Sequence, residues 1–351
     1  MSLVLSVDGD RWRGHLRGVA ERVPGLTPVC KGNGYGFGLG RLARKAQWLK
    51  DGGGGGDTIA VGTYDELPEV ETRFDGDLLV LTPWRPWIGV RAGHPRVIHT
   101  VSRLEDLQEL LALDPKARII LERLTSMNRH GLSAADLRTA GQVLKDSGVR
   151  PRGVAFHLPL SQGSNLGEVK RLINDVVAAE LETNVLWVSH LTDSELGSLR
   201  TSYADFELRP RIGTSLWLGD RGALKVTARV LDVHPIERGE TFGYRGRSAP
   251  KSGHLVIVSG GTAHGIGLES PMGDSSLRSR ASTLARGGMD AVGFARSPYT
   301  VDGKQRLFAE PPHMQASMLF VPSGARVPAI GDEVGVRVRF TATTFDDVVL
   351  T

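Results

Sequence analysis

Lys31 is the first residue in this chain whose setting suggests chemistry. It closes the short apolar run Pro28, Val29, Cys30 inside TPVCKGNGYGFGLG (residues 27 to 40), and glycine then alternates with Asn33, Tyr35 and Phe37. A lysine at a strand end is either a solvated charge or a reactive amine. A reactive amine must be partly desolvated, so that its neutral form exists near neutral pH and condenses with a carbonyl group. Other groups able to carry protons or bind anions include Arg129 in LTSMNRHGLS, His157 in VAFHLPL, Ser189 in VSH, Arg211 in LRPRIGTSLWLG and Tyr244 in RGETFGYRG. Singly, each has an ordinary reading: a surface arginine, a satisfied buried histidine, a tyrosine packed in a turn. The lone cysteine, Cys30, excludes an internal disulfide framework and a Cys-rich zinc site; it reads as inert packing, with a catalytic thiol as the lesser alternative.

These residues need a scaffold. Short β-type runs recur near residues 28, 58, 77, 97, 117, 153, 184 and 208, eight in all. Helical patterns such as GRLARKAQWLKD, RLEDLQELLAL, SAADLRTAGQVLKD and LGEVKRLINDVVAAE fall between several of them. Strand alternating with helix implies a parallel sheet, and eight such units imply an α/β fold of the (β/α)8 TIM-barrel type over residues 1–222. A doubly wound open sheet is the alternative. From residue 223 to 351 the texture is β-rich with turn residues and no long helical pattern, which predicts a C-terminal all-β domain. The glycine run DGGGGGDT reads as a loose helix-to-strand connection. On a barrel, chemistry gathers at the C-terminal ends of the strands, and Lys31 ends the first of them.

The chain has 351 residues, 40% of them hydrophobic and 23% charged, which suits a globular protein of two domains. Lys and Arg total 43 against 39 Asp and Glu, and the basic residues form no long runs, so a nucleic-acid partner is not indicated. No apolar run reaches the roughly 18 residues of a membrane span. MSLVLSVDGDRWRGHLRG lacks the order of a signal peptide, so the cytoplasm is the expected location.

VCKGNGYGFG resembles the cofactor-lysine motif V-V-K-A-N-A-Y-G-H-G of bacterial alanine racemases. Those are fold-type III pyridoxal-phosphate enzymes, a barrel followed by a β-domain, working as homodimers with shared active sites. The resemblance implies pyridoxal 5'-phosphate as cofactor, an amino acid as substrate, Lys31 as the Schiff-base lysine and Tyr35 at the cofactor phosphate. Glycine at 32 and 34 would let the chain pass close to the cofactor. Further segments follow in family order and imply further roles. LTSMNRHGLS places Arg129 near the cofactor's phenolic oxygen and the substrate carboxylate, and VAFHLPL supplies the active-site histidine, His157. LRPRIGTSLWLG places Arg211 against the pyridine nitrogen and the backbone of Gly213 and Thr214 at the phosphate, with Ser189 as a further phosphate ligand. PPHMQASML aligns Met314 with a residue whose backbone N–H binds substrate carboxylate. Racemisation needs two proton carriers on opposite faces of Cα; the resemblance implies Lys31 for one face and Tyr244 of the partner subunit for the other. A guanidinium offers no acceptor, so Arg211 would leave the ring nitrogen unprotonated, whereas fold-type III decarboxylases place a carboxylate there.

The sequence also departs from the family. Glu122 stands seven residues before Arg129, where many members carry a carbamylated lysine, and is expected to orient Arg129 by a charge-assisted pair. VSGGTAHGIGLE replaces P-I-G-Y-A-D-G, so Thr262 takes the place of an entrance tyrosine and His264 that of an aspartate. His313 and Gln315 replace Cys and Asp beside Met314. Thr262, His264 and His313 are therefore candidate substrate contacts, and the substrate is expected to be an amino acid other than alanine, or a modified one. Two alternatives stay open. One is another fold-type III reaction, a D-amino-acid lyase, dehydratase or decarboxylase, although the His-x-Cys pair of the zinc-dependent lyases is absent. The other is a non-catalytic pyridoxal-phosphate-binding protein.

Overall fold

The structure, a computed structural model, describes residues 2–88, 94–160, 163–268 and 295–351. Its contacts gather into two compact units, one of Arg13–Gly34 with Gly38–Asp220 and one of Met1–Trp12 with Tyr35–Phe37 and Arg221–Thr351. The chain opens with strand β1 (Leu3–Val7) and helix α1 (Gly9–Arg22).

In the first unit, eight described strands run parallel and close into a barrel. They are β2 (Thr27–Cys30), β3 (Thr58–Val61), β4 (Asp77–Val80), β5 (Val97–Val101), β6 (Ile119–Arg123), β7 (Val154–Phe156), β8 (Val185–Val188) and β9 (Glu207–Ile212). These are the eight predicted runs. Closure is direct, since Thr27 pairs with Arg211 and Pro28 with Ile212, which replaces the open-sheet alternative by a barrel. Every residue of β2, β3 and β5 is buried, as expected for strands covered on both faces. Helices α2 (Leu39–Asp51), α3 (Leu67–Glu71), α4 (Leu104–Leu113), α5 (Ala134–Ser147), α6 (Leu166–Ala178), α7 (Asp193–Ser202) and the short α8 (Thr214–Trp217) lie between or after them. Local signals set their ends. Ser133 and Asp136 form a reciprocal capping box at the start of α5, and Gly148 closes it with φ 66°. Leu137, Ala140 and Leu144 form its buried face. The glycine run 52–56 is the turn between α2 and β3.

The second unit is a largely antiparallel sheet of eight described strands. Beside β1 it contains β10 (Leu224–Ile236), β13 (Gly253–Ser259), β14 (Arg296–Val301), β15 (Lys304–Phe308), β16 (Ala316–Pro322), β17 (Glu333–Val336) and β18 (Asp347–Leu350); β11 (Thr241–Phe242) and β12 (Arg247–Ser248) form a separate hairpin. β1 pairs antiparallel with β10, Leu3 opposite Ala228, and parallel with β18, Val4 opposite Asp347. Leu3, Leu5 and Val7 alternate inward, so the first strand of the chain completes this sheet and takes no part in the barrel. Ile236, Ala249, Leu255 and Ala309 form a small core with Phe242, Met318 and Phe320 around them. Trp12 and Phe37 stack in this unit with ring centroids 4.7 Å apart. No helix among the described residues is long and apolar enough to cross a membrane.

Candidate functional site

Strand residues two apart share a face. Val29, Ala60, Leu79, Ile98, Ile120, Ala155 and Trp187, one from each of β2 to β8, form one buried apolar cluster. Residues from seven strands of a closed barrel meet only in its interior, so these side chains point inward. Arg209 joins them, its guanidinium 5.2 Å from the centre of the Trp187 ring. Two residues further along each strand come Lys31, Gly62, Leu81, Thr100, Glu122, His157, Ser189 and Arg211. The period that builds the apolar plug thus places these residues at the inward, C-terminal mouth of the barrel, the face where barrel proteins carry their sites. Adjacent pairs confirm the arrangement: a Cβ on Gly62 would stand 3.0 Å from Lys31 Cβ, and Ser189 Oγ lies 3.1 Å from His157 Nδ1.

Around Lys31 the chain is tightly held. Gly32 N–H donates to Glu66 Oε1 at 2.8 Å, and Gly62 N–H donates to Glu66 Oε2 at 2.6 Å. One carboxylate therefore ties the residue after Lys31 to the end of β3. Gly32 has φ 60° and open space where a Cβ would be; Gly34 has the same φ, but a Cβ there would strike Leu39 N at 2.7 Å. Gly32 is thus free to border a bound group, whereas Gly34 serves the chain's own packing. Cys30 is buried, its thiol donating to Leu39 O at 3.4 Å and pushed well above its usual pKa by burial, then by Glu66 and Glu69. It is packing, not a nucleophile. Burial, then the charges of Arg129 and Arg211, hold the Lys31 ammonium below its ordinary 10.5, with Glu66 acting in the opposite sense. Lys31 is open to solvent, which weakens these effects without changing their sign.

The rest of the mouth is more deeply buried. Arg211 donates from Nη2 to Phe156 O at 3.1 Å, while its Nε is buried without a hydrogen-bond partner. Burial brings its pKa down to about 10, Glu122 opposing and Arg129 assisting, so it stays a cation at neutral pH. Glu122 is buried with Oε2 unpartnered, and burial raises its pKa against Arg211, Arg129 and Arg85, in that order. The expected direct pair of Glu122 with Arg129 is corrected: no hydrogen bond or ion pair joins them, and Arg211 is the stronger charge neighbour. The segment after β6 explains this. Asn128 at φ 51° and Gly131 at φ 133° turn it back on itself, and Ser126 is clamped from N–H and Oγ by the two oxygens of Glu168 at 2.6 and 2.7 Å. Thr125 Oγ1 donates to His157 O at 2.7 Å, fixing the loop to the end of β7 and leaving Arg129 exposed. His157 is driven down to about 3 by burial, then by Arg211, Arg129, His190 and Lys31, so it is a neutral imidazole. His190, whose ring centre is 5.3 Å from that of His157, has Nδ1 2.7 Å from Leu158 O. Gly213 and Thr214 open α8 directly after β9.

The remaining predicted residues lie in the sheet unit. Tyr35 is buried at φ 55° in the segment Tyr35–Phe37. Thr262 starts a 3-10 turn and its N–H donates to His313 O at 2.8 Å. His264 is turned inward: Nδ1 accepts from Gly261 N–H at 3.2 Å and Nε2 lies 3.1 Å from Asp346 Oδ1. Both ring nitrogens are committed, so His264 braces this turn. Met314 is 72% exposed and Tyr244 is 87% exposed. Glu66, Glu168, His190 and Glu310 were not among the expected residues. Of these, Glu66 alone has a local signature, the capping box of Thr63 and Glu66.

Fold and mouth define a (β/α)8-barrel protein with an added β-rich unit and a lysine, beside two guanidiniums, at the end of the first barrel strand. The profile of the family described as "Alanine racemase, N-terminal domain" matches residues 7–216, more than half of the chain. The chain belongs to that family. A curated alanine racemase from Nitratidesulfovibrio vulgaris is 27% identical over 264 residues, covering 68% of this chain and 69% of the relative. Another from Campylobacter jejuni subsp. doylei is 23% identical over 316 residues, covering 83% and 87%. Among solved structures, alanine racemase from Streptomyces lavendulae superposes with TM-score 0.70 at 19% identity, over 100% of this chain and 97% of that one. Alanine racemase from Bartonella henselae with covalently bound pyridoxal phosphate gives 0.72 at 16% identity over 100% of both chains. At these identities the structures speak for the fold.

Proposed function

We propose that this chain is a pyridoxal-phosphate-dependent amino-acid racemase, an isomerase acting as a cytoplasmic homodimer. The observation that carries the reading is Lys31, an amine lowered in pKa at the mouth of the barrel, on the same inward face as the buried cation Arg211. The residues present suit the cofactor. Lys31 would hold its aldehyde carbon. Arg211 Nε, buried without a partner, offers an N–H to the ring nitrogen. Ser189 and the Gly213–Thr214 turn follow the seventh and eighth barrel strands, the place where barrels bind phosphate, and Tyr35 is assigned there by resemblance. Bound pyridoxal phosphate supplies an electron sink that acidifies the Cα proton of an amino acid.

Each residue then has a task. Lys31 carries a proton to or from one face of Cα. Tyr244 of a second copy carries it on the other face, as the family resemblance implies. Arg211, all donors and no acceptor, would donate to the ring nitrogen and would supply no proton to it, as the family resemblance implies for a racemase. Arg129 orients the substrate carboxylate, with the Met314 backbone N–H as a further donor. His157, neutral, keeps Ser189 in place. With Thr262 at the position of the family's entrance tyrosine and His264 committed elsewhere, we propose a substrate other than alanine, or a modified amino acid.

The test is deuterium incorporation at Cα in D2O, with inversion, across both enantiomers of an amino-acid panel. Exchange with inversion of one substrate supports the reading. Release of carbon dioxide or ammonia, or no exchange with any amino acid by the cofactor-loaded protein, would sink it; a wide preference for alanine would remove the substrate proposal alone.

A further inference from the structure

Glu310 lies between β15 and β16 and is only 4% exposed. Its Oε2 accepts the Tyr244 N–H at 3.0 Å, and its Oε1 lies 2.7 Å from His313 Nε2. The His313 ring lies against the Tyr244 ring, with centroids 4.8 Å apart and planes inclined by 50°. A tyrosine as exposed as Tyr244 would ordinarily move between rotamers at little cost. Here its backbone is held by a charge-assisted bond, and its ring rests on an imidazole held by the same carboxylate. Gly243 makes room for this: it has φ 71°, and a Cβ on it would stand 2.3 Å from Glu310 Oε2. A buried carboxylate spent on orienting one solvent-exposed phenol is costly to stability unless every oxygen is used, and both oxygens of Glu310 are used.

We infer that Glu310 and His313 are positioning residues for Tyr244, holding its phenol in one orientation for proton transfer. This rests on the role proposed above for Tyr244. It gives His313, which replaces a cysteine in the resembling motif, a task other than substrate contact.

The experiment uses the cofactor-loaded protein labelled with 3-fluorotyrosine, the Tyr244 fluorine resonance being assigned by its loss in Tyr244→Phe. Fluorine NMR is read beside Cα deuterium exchange from each enantiomer. His313→Ala and Glu310→Gln are each expected to move the Tyr244 resonance toward that of free fluorotyrosine. Each should lower kcat about tenfold, a part of what a general base contributes, and leave KM within about twofold. His313→Phe, which keeps an aromatic face, should recover most of the rate. His313→Ala combined with Tyr244→Phe should be no slower than Tyr244→Phe alone. An unmoved resonance and unchanged kcat in His313→Ala, with exchange lost in Tyr244→Phe, overturns the inference while sparing the role of Tyr244. A wild-type rate in Tyr244→Phe overturns that role itself. His313 is partly exposed, so its variants carry the test even where Glu310→Gln fails to fold.

Discussion

Two rungs of the same barrel, two residues apart along the same strands, show opposite chemistry. Leu79, Ile98, Ile120 and Ala155 are apolar and fully packed. Lys31, Glu122, His157 and Arg211, one step further toward the strand ends, carry charges or titrating rings, and two of them have buried polar atoms without partners. A buried polar atom left unsatisfied costs about 1–3 kcal/mol. The inner rung therefore holds the barrel together, and the outer rung carries the cost of two buried polar atoms without partners, which the proposed function assigns to a bound group.

Variants on the two rungs should separate stability from chemistry. The largest effect belongs to Leu79→Ala, which removes a fully buried side chain of the plug. It should destabilise by about 2–5 kcal/mol in urea unfolding, with exchange per folded molecule within about twofold of wild type. A mutant that unfolds no earlier, or that loses its chemistry while folded, breaks the division between the rungs. Glu122→Gln comes next. Loss of the negative charge that acts on Arg211 should reduce exchange about tenfold, the scale of a Coulomb interaction between nearby charges without a hydrogen bond. Its stability should move the other way. The folded-state pKa of Glu122 is raised above 4.5, so its ionisation destabilises the fold as pH rises through that range. The glutamine variant should therefore match or exceed wild type at neutral pH and lose that advantage below pH 4.5.

His157 gives a smaller, pH-dependent effect. Its pKa falls from 6.5 to about 3 on folding, so the unfolded chain binds the extra proton and stability drops as pH falls through that window. In His157→Gln the melting temperature should fall less steeply over the same range; equal slopes would show that the ring is not held neutral. Glu66→Gln is the mildest change. It keeps an acceptor for the Gly32 N–H but removes the charge that supports the Lys31 ammonium, so the pH profile of Lys31 acylation should move lower. A profile moved higher would contradict the sign.

The sequence made the barrel legible because its strands are apolar runs separated by amphipathic helices, and a lysine at a strand end stands out against them. It did not reveal where LVLSV belongs. Leu3, Leu5 and Val7 alternate as any half-buried strand does, and only pairing with β10 and β18 assigns them to the second sheet. The Glu122–Arg129 expectation came from the place of Glu122 in the resembling motif, and a motif position does not carry the path of the segment that follows, which turns at Asn128 and Gly131. Glu66 and Glu310 were missed because they act on backbone N–H groups from 34 and 66 residues away, a relation with no sequence period. His264 was a candidate substrate contact because it stands where the resembling motif has an aspartate; its hydrogen-bond partner, Asp346, lies 82 residues further on, beyond the reach of any motif.

The amine at position 31 is the point on which the proposed chemistry turns. Wild-type protein incubated with pyridoxal phosphate should take up a visible absorption band, and borohydride reduction followed by peptide mass analysis should place the cofactor on Lys31. Lys31→Ala should lose both the band and the label, together with all Cα exchange. A label on another lysine, or a band that survives in Lys31→Ala, would contradict the assignment of the barrel mouth as the site.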